Sequence, residues 1–260
     1  MTLKRNSQPE TLVNKKGIRL DGRKTDELRP IKLEVGVLWQ ASGSAYVEQG
    51  KNKILVAVYG PREIHPRHLA LPDRAVLRCL YRMTPFSVSE RKSPAPSRRE
   101  TELSMVLSNA LLPSAFLEQY PRTVVDVFVE VLEADGGTRC TSINCASLAL
   151  ADAGIPLKDL TSAVAIGKAD GHMILDLSDS EDKYGEADVP IAMMPRKREI
   201  TLFQMDGQLT IEELKEGLKM ATKGIKDIYE LQRDALKRRY AQIREKVAEN
   251  DVEETGGDSK

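Results

Sequence analysis

The chain has 260 residues, and its 39 basic and 39 acidic side chains cancel to a formal net charge of zero. This length permits one large domain or two small ones with a proper core, without disulfides or structural metal ions. No run approaches the roughly 20 apolar residues of a membrane span, and residues 1–16 lack the apolar segment of a secretion signal. The three cysteines form no CxxC pair and lie in apolar contexts, which indicates buried, reduced thiols and a cytoplasmic protein.

Charge is unevenly distributed along the chain. The segment from Arg62 to Arg99 contains nine Lys or Arg residues and three acids, whereas residues 245–260 contain six acids and two lysines. A basic segment of this kind is typical of proteins that bind phosphate backbones. A solvated basic surface with no ligand is the alternative interpretation.

The first half of the chain predicts strands followed by a helix. Alternating and β-branched residues predict strands over 31–39, 44–49 and 53–59. From Gly60 the chain is rich in Pro, Arg and His, and we expect a long surface segment, because proline lacks the N–H donor of regular structure. Apolar residues then recur at helical spacing over 100–112.

The second half predicts a strand over 124–132, a glycine turn, a helix of small residues over 141–153 and a last helix from the capping box at Thr210 to about Val247. Four more strands are predicted over 163–168, 172–177, 187–194 and 199–205. We expect one α+β domain over 17–247, built from two βα halves with helices packed on mostly antiparallel sheets and a long C-terminal helix. Residues 1–16 would be a polar lead-in, and 248–260 a disordered acidic tail.

A candidate anion-binding site follows the strand over 124–132, at Asp135-Gly136-Gly137-Thr138-Arg139. Paired glycines allow backbone N–H groups to approach a ligand, and the start of a helix adds unsatisfied donors and the positive end of its dipole. Thr138 and Arg139 add a hydroxyl and a guanidinium. An ordinary turn, with Arg139 paired to a neighbouring acid, is the alternative, and the segment matches neither GxGxxG nor a P-loop.

A second candidate site is the acidic segment with Asp182, Glu186 and Asp188, just before an apolar strand. The three positions have the same parity, so any extended part of the segment would direct their carboxylates to one side. Mg²⁺ is a natural occupant, because it is usually held by one or two carboxylates together with water and phosphate oxygens. The alternative is an acidic turn without a role.

Four arginines lie on two stretches that flank the proline-rich segment: Arg62, Arg67, Arg98 and Arg99. The planar guanidinium suits bidentate contact with phosphate, which favours the backbone of RNA as their partner.

Several motifs, taken together and in order, resemble the RNase PH family. They are Arg19-Leu20-Asp21-Gly22-Arg23, Arg29-Pro30, Gly60-Pro61-Arg62-Glu63, Arg99 ahead of Glu102-Leu103, Gly136-Gly137-Thr138-Arg139, and Glu181-Asp182 followed by Asp188. Each motif is weak alone, but the ordered set spans about residues 17–245 and is specific. Within the family, residues 61–68 and 187–192 look most like the catalytic RNase PH-type subunit of an archaeal exosome.

The resemblance implies an RNase PH-like fold of two βα pseudo-repeats. It also implies a hexameric ring in which this chain alternates with a homologous inactive subunit, joined by RNA-binding cap subunits. Inorganic phosphate would be the co-substrate, and the residues expected to hold it are Gly137, Thr138, Arg139 and Arg99. Asp182 and Asp188 fall on the two acidic positions of the family. Inactive relatives lose these acids or the phosphate-binding arginine, so this chain resembles an active subunit.

The expected activity is phosphate-dependent 3′-to-5′ degradation of RNA, which releases nucleoside diphosphates and in reverse would add tails. Asp182 and Asp188 would be the catalytic residues and the ligands of Mg²⁺ or Mn²⁺, and Asp188 or a metal-bound water would protonate the departing 3′ oxygen. The RNA backbone would contact the four arginines named above. Two alternatives stay open: a free-standing tRNA-trimming enzyme with the same chemistry, and a non-catalytic RNA-binding ring subunit.

Overall fold

The computed structural model describes residues 11–14 and 17–256, with side chains described as far as residue 245. The described residues form ten strands and four α-helices. In order they are β1 (Ile31–Val35), β2 (Gly43–Gln49), β3 (Asn52–Glu63), β4 (Val76–Met83), α1 (Arg98–Leu111), β5 (Thr123–Glu133), α2 (Thr138–Asp152), β6 (Ser162–Ala169), β7 (His172–Leu175), α3 (Asp179–Tyr184), β8 (Ala187–Met194), β9 (Glu199–Phe203), β10 (Asp206–Gly207) and α4 (Ile211–Gly256).

Two sheets organise the fold. The first has the order β1-β2-β3-β5-β4 and is antiparallel except for the β4–β5 pair, which is parallel. The second has the order β10-β8-β6-β7, with β9 paired to β8, and all of its pairings are antiparallel. The predicted α+β class with mostly antiparallel sheets is therefore confirmed.

Helix α2 is the central element, because it contacts strands of both sheets. Its small side chains allow this close approach: Ala146 and Ala149 are fully buried, and so is Ser142. Helix α4 covers the second sheet with a stripe that includes Ala221, Ile225 and Ile228, at the helical spacing that the sequence predicts. Burial of these faces supplies the main stabilisation of the domain.

Several element boundaries differ from the prediction. The proline-rich segment contains strand β4, which was predicted to be part of a surface excursion. Helix α4 extends to Gly256, so residues 248–256 lie in a helix where we expected a disordered tail, and 257–260 lie outside the described residues. The predicted polar lead-in also contributes to the core, because Leu12 and Val13 are buried and their N–H groups donate to the Asp170 carboxylate.

In the described part of the chain, no helix is long and apolar enough to cross a membrane.

Candidate active site

The predicted site residues meet where α1, the glycine turn (Gly136 and Gly137), α3 and β8 converge. Two cavities, of about 220 and 580 Å³, have Arg99, Arg139, Asp182 and Asp188 in their walls. The smaller one also reaches the backbone of the glycine turn. The structure thus places two arginines, two carboxylates and a helix N-terminus around one depression.

The glycine turn has a backbone that only glycine adopts easily. Gly136 and Gly137 have φ angles of 71° and 64°, in the left-handed region. A Cβ atom on Gly136 would lie 2.5 Å from the carbonyl carbon of Ser178, whereas one on Gly137 would meet the Arg29 side chain at 3.2 Å. Gly136 therefore has the stricter steric requirement, whereas the space beside Gly137 is bounded by the Arg29 side chain.

Helix α2 begins directly at this turn, with Gly137 as its N-cap and no side-chain cap. Its first internal hydrogen bond runs from the Thr141 N–H to the Gly137 carbonyl. The N–H groups of residues 138–140 are therefore not used by the helix, and with the helix dipole they favour a bound anion. The helix begins three residues before the predicted boundary at 141, at the turn where the sequence predicts the unsatisfied donors of a helix start.

A buried network holds the turn in place. The Arg29 guanidinium donates to the carbonyl oxygens of Asp135 and Gly136 at 2.6 and 3.3 Å, and to the Asp176 carboxylate at 2.7 Å. Asn52 donates a further bond of 2.6 Å to the Gly136 carbonyl. Burial acts to raise the pKa of Asp176, but the ion pair with Arg29 outweighs it and lowers that pKa below its ordinary value. Arg29, part of the family motif, is thus a support for the turn.

Thr138 is the first residue of α2, and its hydroxyl accepts a hydrogen bond from a buried side chain. The Tyr81 hydroxyl, which is buried beneath the site, donates a 3.0 Å hydrogen bond to the Thr138 Oγ1 atom. Because that oxygen accepts from Tyr81, its own proton is available to a ligand in the cavity.

Arg139 is fixed on one side only. Its Nη1 atom donates a 2.6 Å hydrogen bond to Gln204 Oε1. Its Nε atom is buried and has no hydrogen-bond partner among the described residues. A buried donor without a partner is unfavourable, so a bound anion would complete this site.

Arg99 lies in the first turn of α1, where Ser97 and Glu100 form a capping box that fixes the start of the helix. Its guanidinium makes no hydrogen bond or ion pair with any described residue. Burial raises the pKa values of both Asp182 and Asp188, and the charge of Arg99 opposes that increase. Arg98, beside it, lines only the larger of the two cavities. Arg99 is therefore placed to bind a ligand, and Arg98 lies at the outer rim.

The two acids come together from different elements. Asp182 lies on helix α3 and Asp188 on strand β8, and neither carboxylate accepts a hydrogen bond from a described residue. Burial and the neighbouring Asp182 raise the pKa of Asp188 to about 6, and partial removal from water raises the pKa of Asp182 as well. The shared parity of 182, 186 and 188 does not explain why the two acids meet, because Asp182 lies on a helix and the extended part of the segment begins at Ala187. Glu186 is also not part of the pair, because it forms an ion pair with Lys168.

A second buried ion pair fixes α3, the helix that carries Asp182. The Arg19 Nε atom donates to Glu181 at 2.7 Å, and Glu181 in turn accepts from the Ser178 N–H that begins the helix. Both side chains are almost fully buried. Arg19 of the family motif thus orients α3 and does not face the cavity.

The donor set of the acid pair fits a hydrated divalent cation. In the described part of the chain, no three His, Cys, Asp or Glu side chains are close enough to form a complete metal site. Asp182 and Asp188 offer two carboxylates without other hydrogen-bond partners. Mg²⁺ commonly binds to such a pair and takes its remaining ligands from water and substrate phosphate.

Arg62 and Arg67 lie away from this site. The Arg62 guanidinium bonds to the buried Asp126 carboxylate on β5, which also accepts a 2.6 Å bond from Arg78. Asp126 lies seven residues before the last residue of β5, and the glycine turn follows that end of the strand. At about 3.3 Å per strand residue, Arg62 is therefore roughly 20 Å from the glycine turn. Arg67 pairs with Glu63 at 3.0 Å and its side chain is 82% exposed. The four predicted RNA-binding arginines therefore form two separate groups.

Three residues of the site were not predicted from the sequence: Tyr81, Gln204 and Asp206. Asp206 is the register partner of Asp188 in the β8–β10 pair and adds to the increase in its pKa. The only signal for Asp206 was the Asp-Gly turn pattern that it begins. Tyr81 and Gln204 had no local signal, because their contacts join elements 57 and 65 residues apart in the chain.

Comparison with known proteins identifies relatives over most of the chain. Family models described as the 3′ exoribonuclease family, domain 1 and domain 2, match residues 27–156 and 159–224. The exosome complex component Rrp41 of Thermococcus kodakarensis is 60% identical over 240 residues, which cover 92% of this chain and 96% of that protein. Rrp41 of Archaeoglobus fulgidus is 50% identical over 257 residues, 98% of each chain.

Among solved structures, Rrp46 from rice (Oryza sativa) matches with a TM-score of 0.76 and 28% identity, over 84% of this chain and all of that chain. The RNase PH-like fold that the motifs implied is therefore confirmed. This chain belongs to the 3′ exoribonuclease family of RNase PH proteins.

Proposed function

We propose that this chain is the catalytic subunit of an exosome ring and removes nucleotides from RNA 3′ ends by phosphorolysis. One observation supports this most strongly: Arg99, Arg139 and the bare N-terminus of α2 face Asp182 and Asp188 across the same cavities. Such an arrangement offers an anion site directly beside a pair of acids. A non-catalytic subunit would have no need to keep both.

In the proposed reaction, an oxygen of inorganic phosphate attacks the last phosphodiester phosphorus of the RNA. The bond from that phosphorus to the 3′ oxygen of the preceding nucleotide breaks, and a nucleoside diphosphate leaves. Because both reactants are anionic, the chain must hold them together against repulsion. The N–H groups of residues 138–140, the Thr138 hydroxyl and Arg139 hold the attacking phosphate, and Arg99 neutralises charge between it and the RNA.

The departing 3′ oxygen needs a proton. Asp188, or a water molecule on a bound metal ion, would supply it. In the absence of a metal ion, burial and neighbouring carboxylates raise the pKa of Asp188 to about 6. Asp182 and Asp188 would also hold Mg²⁺ or Mn²⁺, which would supply charge neutralisation at the scissile phosphate. Since phosphate and not water is the attacking group, the reaction is phosphorolysis and not hydrolysis.

We propose that the assembled form is a hexameric ring in which this chain alternates with a homologous inactive subunit, with RNA-binding cap subunits on one face. The names of its relatives, exosome complex component Rrp41, support this proposal. Arg62 and Arg67, distant from the acids, would contact RNA before it reaches the site. The buried, unpaired cysteines fit a reducing cytoplasm.

Product analysis tests the proposed function. The assembled protein is incubated with a 3′-extended RNA and Mg²⁺, with and without inorganic phosphate. We expect nucleoside diphosphates only when phosphate is present, and RNA extension when nucleoside diphosphates are supplied in excess. Release of nucleoside monophosphates at the same rate in both buffers would contradict the proposal, because water would then be the attacking group.

A further inference from the structure

We infer that Gln204 is a positioning residue that turns one edge of the Arg139 guanidinium towards the attacking phosphate. This inference rests on the proposed function and assigns a role to a side chain that belongs to neither the acid pair nor the glycine turn. It is supported by the hydrogen bond between the two side chains and by the unpaired donor on the other edge of Arg139.

The shape of the guanidinium explains how this hydrogen bond can orient Arg139. An arginine can bind an oxyanion in a bidentate way along the edge formed by Nε and Nη2, or along the edge formed by the two Nη atoms. Gln204 Oε1 accepts a hydrogen bond of 2.6 Å from Nη1, which belongs to the second edge only. The Nε atom is buried and unpaired among the described residues, so the first edge is the one left for a ligand.

Gln204 is itself well anchored. It directly follows strand β9, and its backbone N–H donates to the Pro190 carbonyl at 3.2 Å. Pro190 lies on β8, two residues after Asp188. Gln204 therefore connects Arg139 on α2 to the strand that carries Asp188.

This connection predicts a specific kinetic role. Without an acceptor at position 204, the Arg139 side chain can rotate about its last bonds, and its Nε edge no longer points permanently to the phosphate. Binding of phosphate should weaken, because more of the guanidinium's freedom is lost when the anion binds. Binding of RNA, which does not depend on this edge, should not change.

The test uses Gln204→Met, which keeps the length of the side chain and removes the acceptor. Gln208→Met is the matched control, because Gln208 is exposed and lies on the same segment. Each variant is compared with the wild type in the assembly in which the wild-type chain is active. The measurements are the phosphate concentration at half-maximal rate, kcat, RNA affinity without phosphate, and the melting temperature.

We expect Gln204→Met to raise the half-saturating phosphate concentration about threefold to tenfold, with kcat changed less than that, as for loss of one ordinary intramolecular hydrogen bond. In an Arg139→Ala background, the same substitution should have no further effect, since there is no guanidinium left to position. Gln208→Met should behave as wild type throughout.

Three results would overturn the inference: an unchanged half-saturating phosphate concentration in Gln204→Met, an equal effect with and without Arg139, or a fall in melting temperature that accounts for the loss. The proposed function would fail differently, because the wild type itself would then show no dependence on phosphate. If Gln204→Met does not fold, Gln204→Ala removes the same acceptor with a smaller side chain and keeps the test available. It should raise the half-saturating phosphate concentration only while Arg139 is present.

Discussion

The hydroxyl of Tyr81 donates a 3.0 Å hydrogen bond to the hydroxyl of Thr138, and so joins strand β4 to the first residue of α2. Tyr81 is 2% exposed, so no water competes for this bond. Because the Thr138 oxygen accepts this bond, its own proton remains available to a ligand in the cavity. A strand of the first sheet thereby supports the proposed phosphate site from below.

The Tyr81→Phe variant should therefore bind phosphate less tightly. Loss of one neutral hydrogen bond corresponds to about 1 kcal/mol, so we expect the half-saturating phosphate concentration to rise about threefold to tenfold. Tyr46→Phe removes a hydroxyl from another strand of the same sheet and serves as the control. Equal phosphate dependence in Tyr81→Phe and wild type would mean that the bond has only a structural role.

Replacement of either acid should abolish most of the activity. Asp182→Asn and Asp188→Asn should each slow phosphorolysis by about two orders of magnitude or more, because each loses charge stabilisation or the proton donor. Assembly and RNA binding should persist, since neither carboxylate bonds to a described residue. Glu186→Gln, whose ion pair lies outside the acid pair, is the control and should stay active. Near-normal rates in either Asp variant would remove that residue from the mechanism.

The pKa of Asp188 also predicts how stability depends on pH. Its folded-state value, about 6, is raised above the ordinary 3.8, so its contribution to stability is fully present below about pH 4 and is lost as the pH rises through about 6. Asn at this position avoids that loss. In buffer with chelator and without phosphate, the melting temperature of Asp188→Asn relative to wild type should therefore increase from pH 4 to pH 7.5. A difference that does not vary with pH would contradict the raised pKa.

Arg62 and Arg67, which lie apart from the acids, should act on long substrates. With both replaced by Ala, we expect weaker binding of long RNA and shorter processive runs, and little change on an RNA too short to reach them. Asp126 keeps its bond to Arg78 in this variant, so folding should survive. Arg74→Ala, an exposed arginine of the same segment, is the control. An equal loss on short and long RNA would place these arginines at the scissile linkage.

The sequence predicted those parts of the fold that have a local signal. The meander, the strand before the glycine turn and the capping box of α4 depend on neighbouring residues only, and all of them are present. Strand β4 was missed because it pairs in parallel with β5, so no hairpin turn marks it, and because its exposed positions are arginines. Helix α3 has only six residues, too few to show apolar residues that recur at helical spacing.

The sequence could not separate arginines that bind ligands from arginines that hold the fold. Arg19, Arg29 and Arg62 make buried or partly buried ion pairs with acids that are 64 to 162 residues away in the chain. Arg99 and Arg139 keep donors directed to a cavity instead. The difference lies in tertiary packing, which brings the partners together, and not in the spacing of residues along the chain.

The central claim is that the glycine turn and Arg139 hold the phosphate that attacks RNA. The most direct measurement is a phosphate titration of the Arg139→Ala variant, with nucleoside diphosphate release as the signal. We predict a half-saturating phosphate concentration at least about tenfold above wild type, because a charge-assisted donor pair is lost, and an unchanged RNA affinity in phosphate-free buffer. An Arg139→Ala variant that is folded and has the phosphate dependence of the wild type would contradict the assignment of this site.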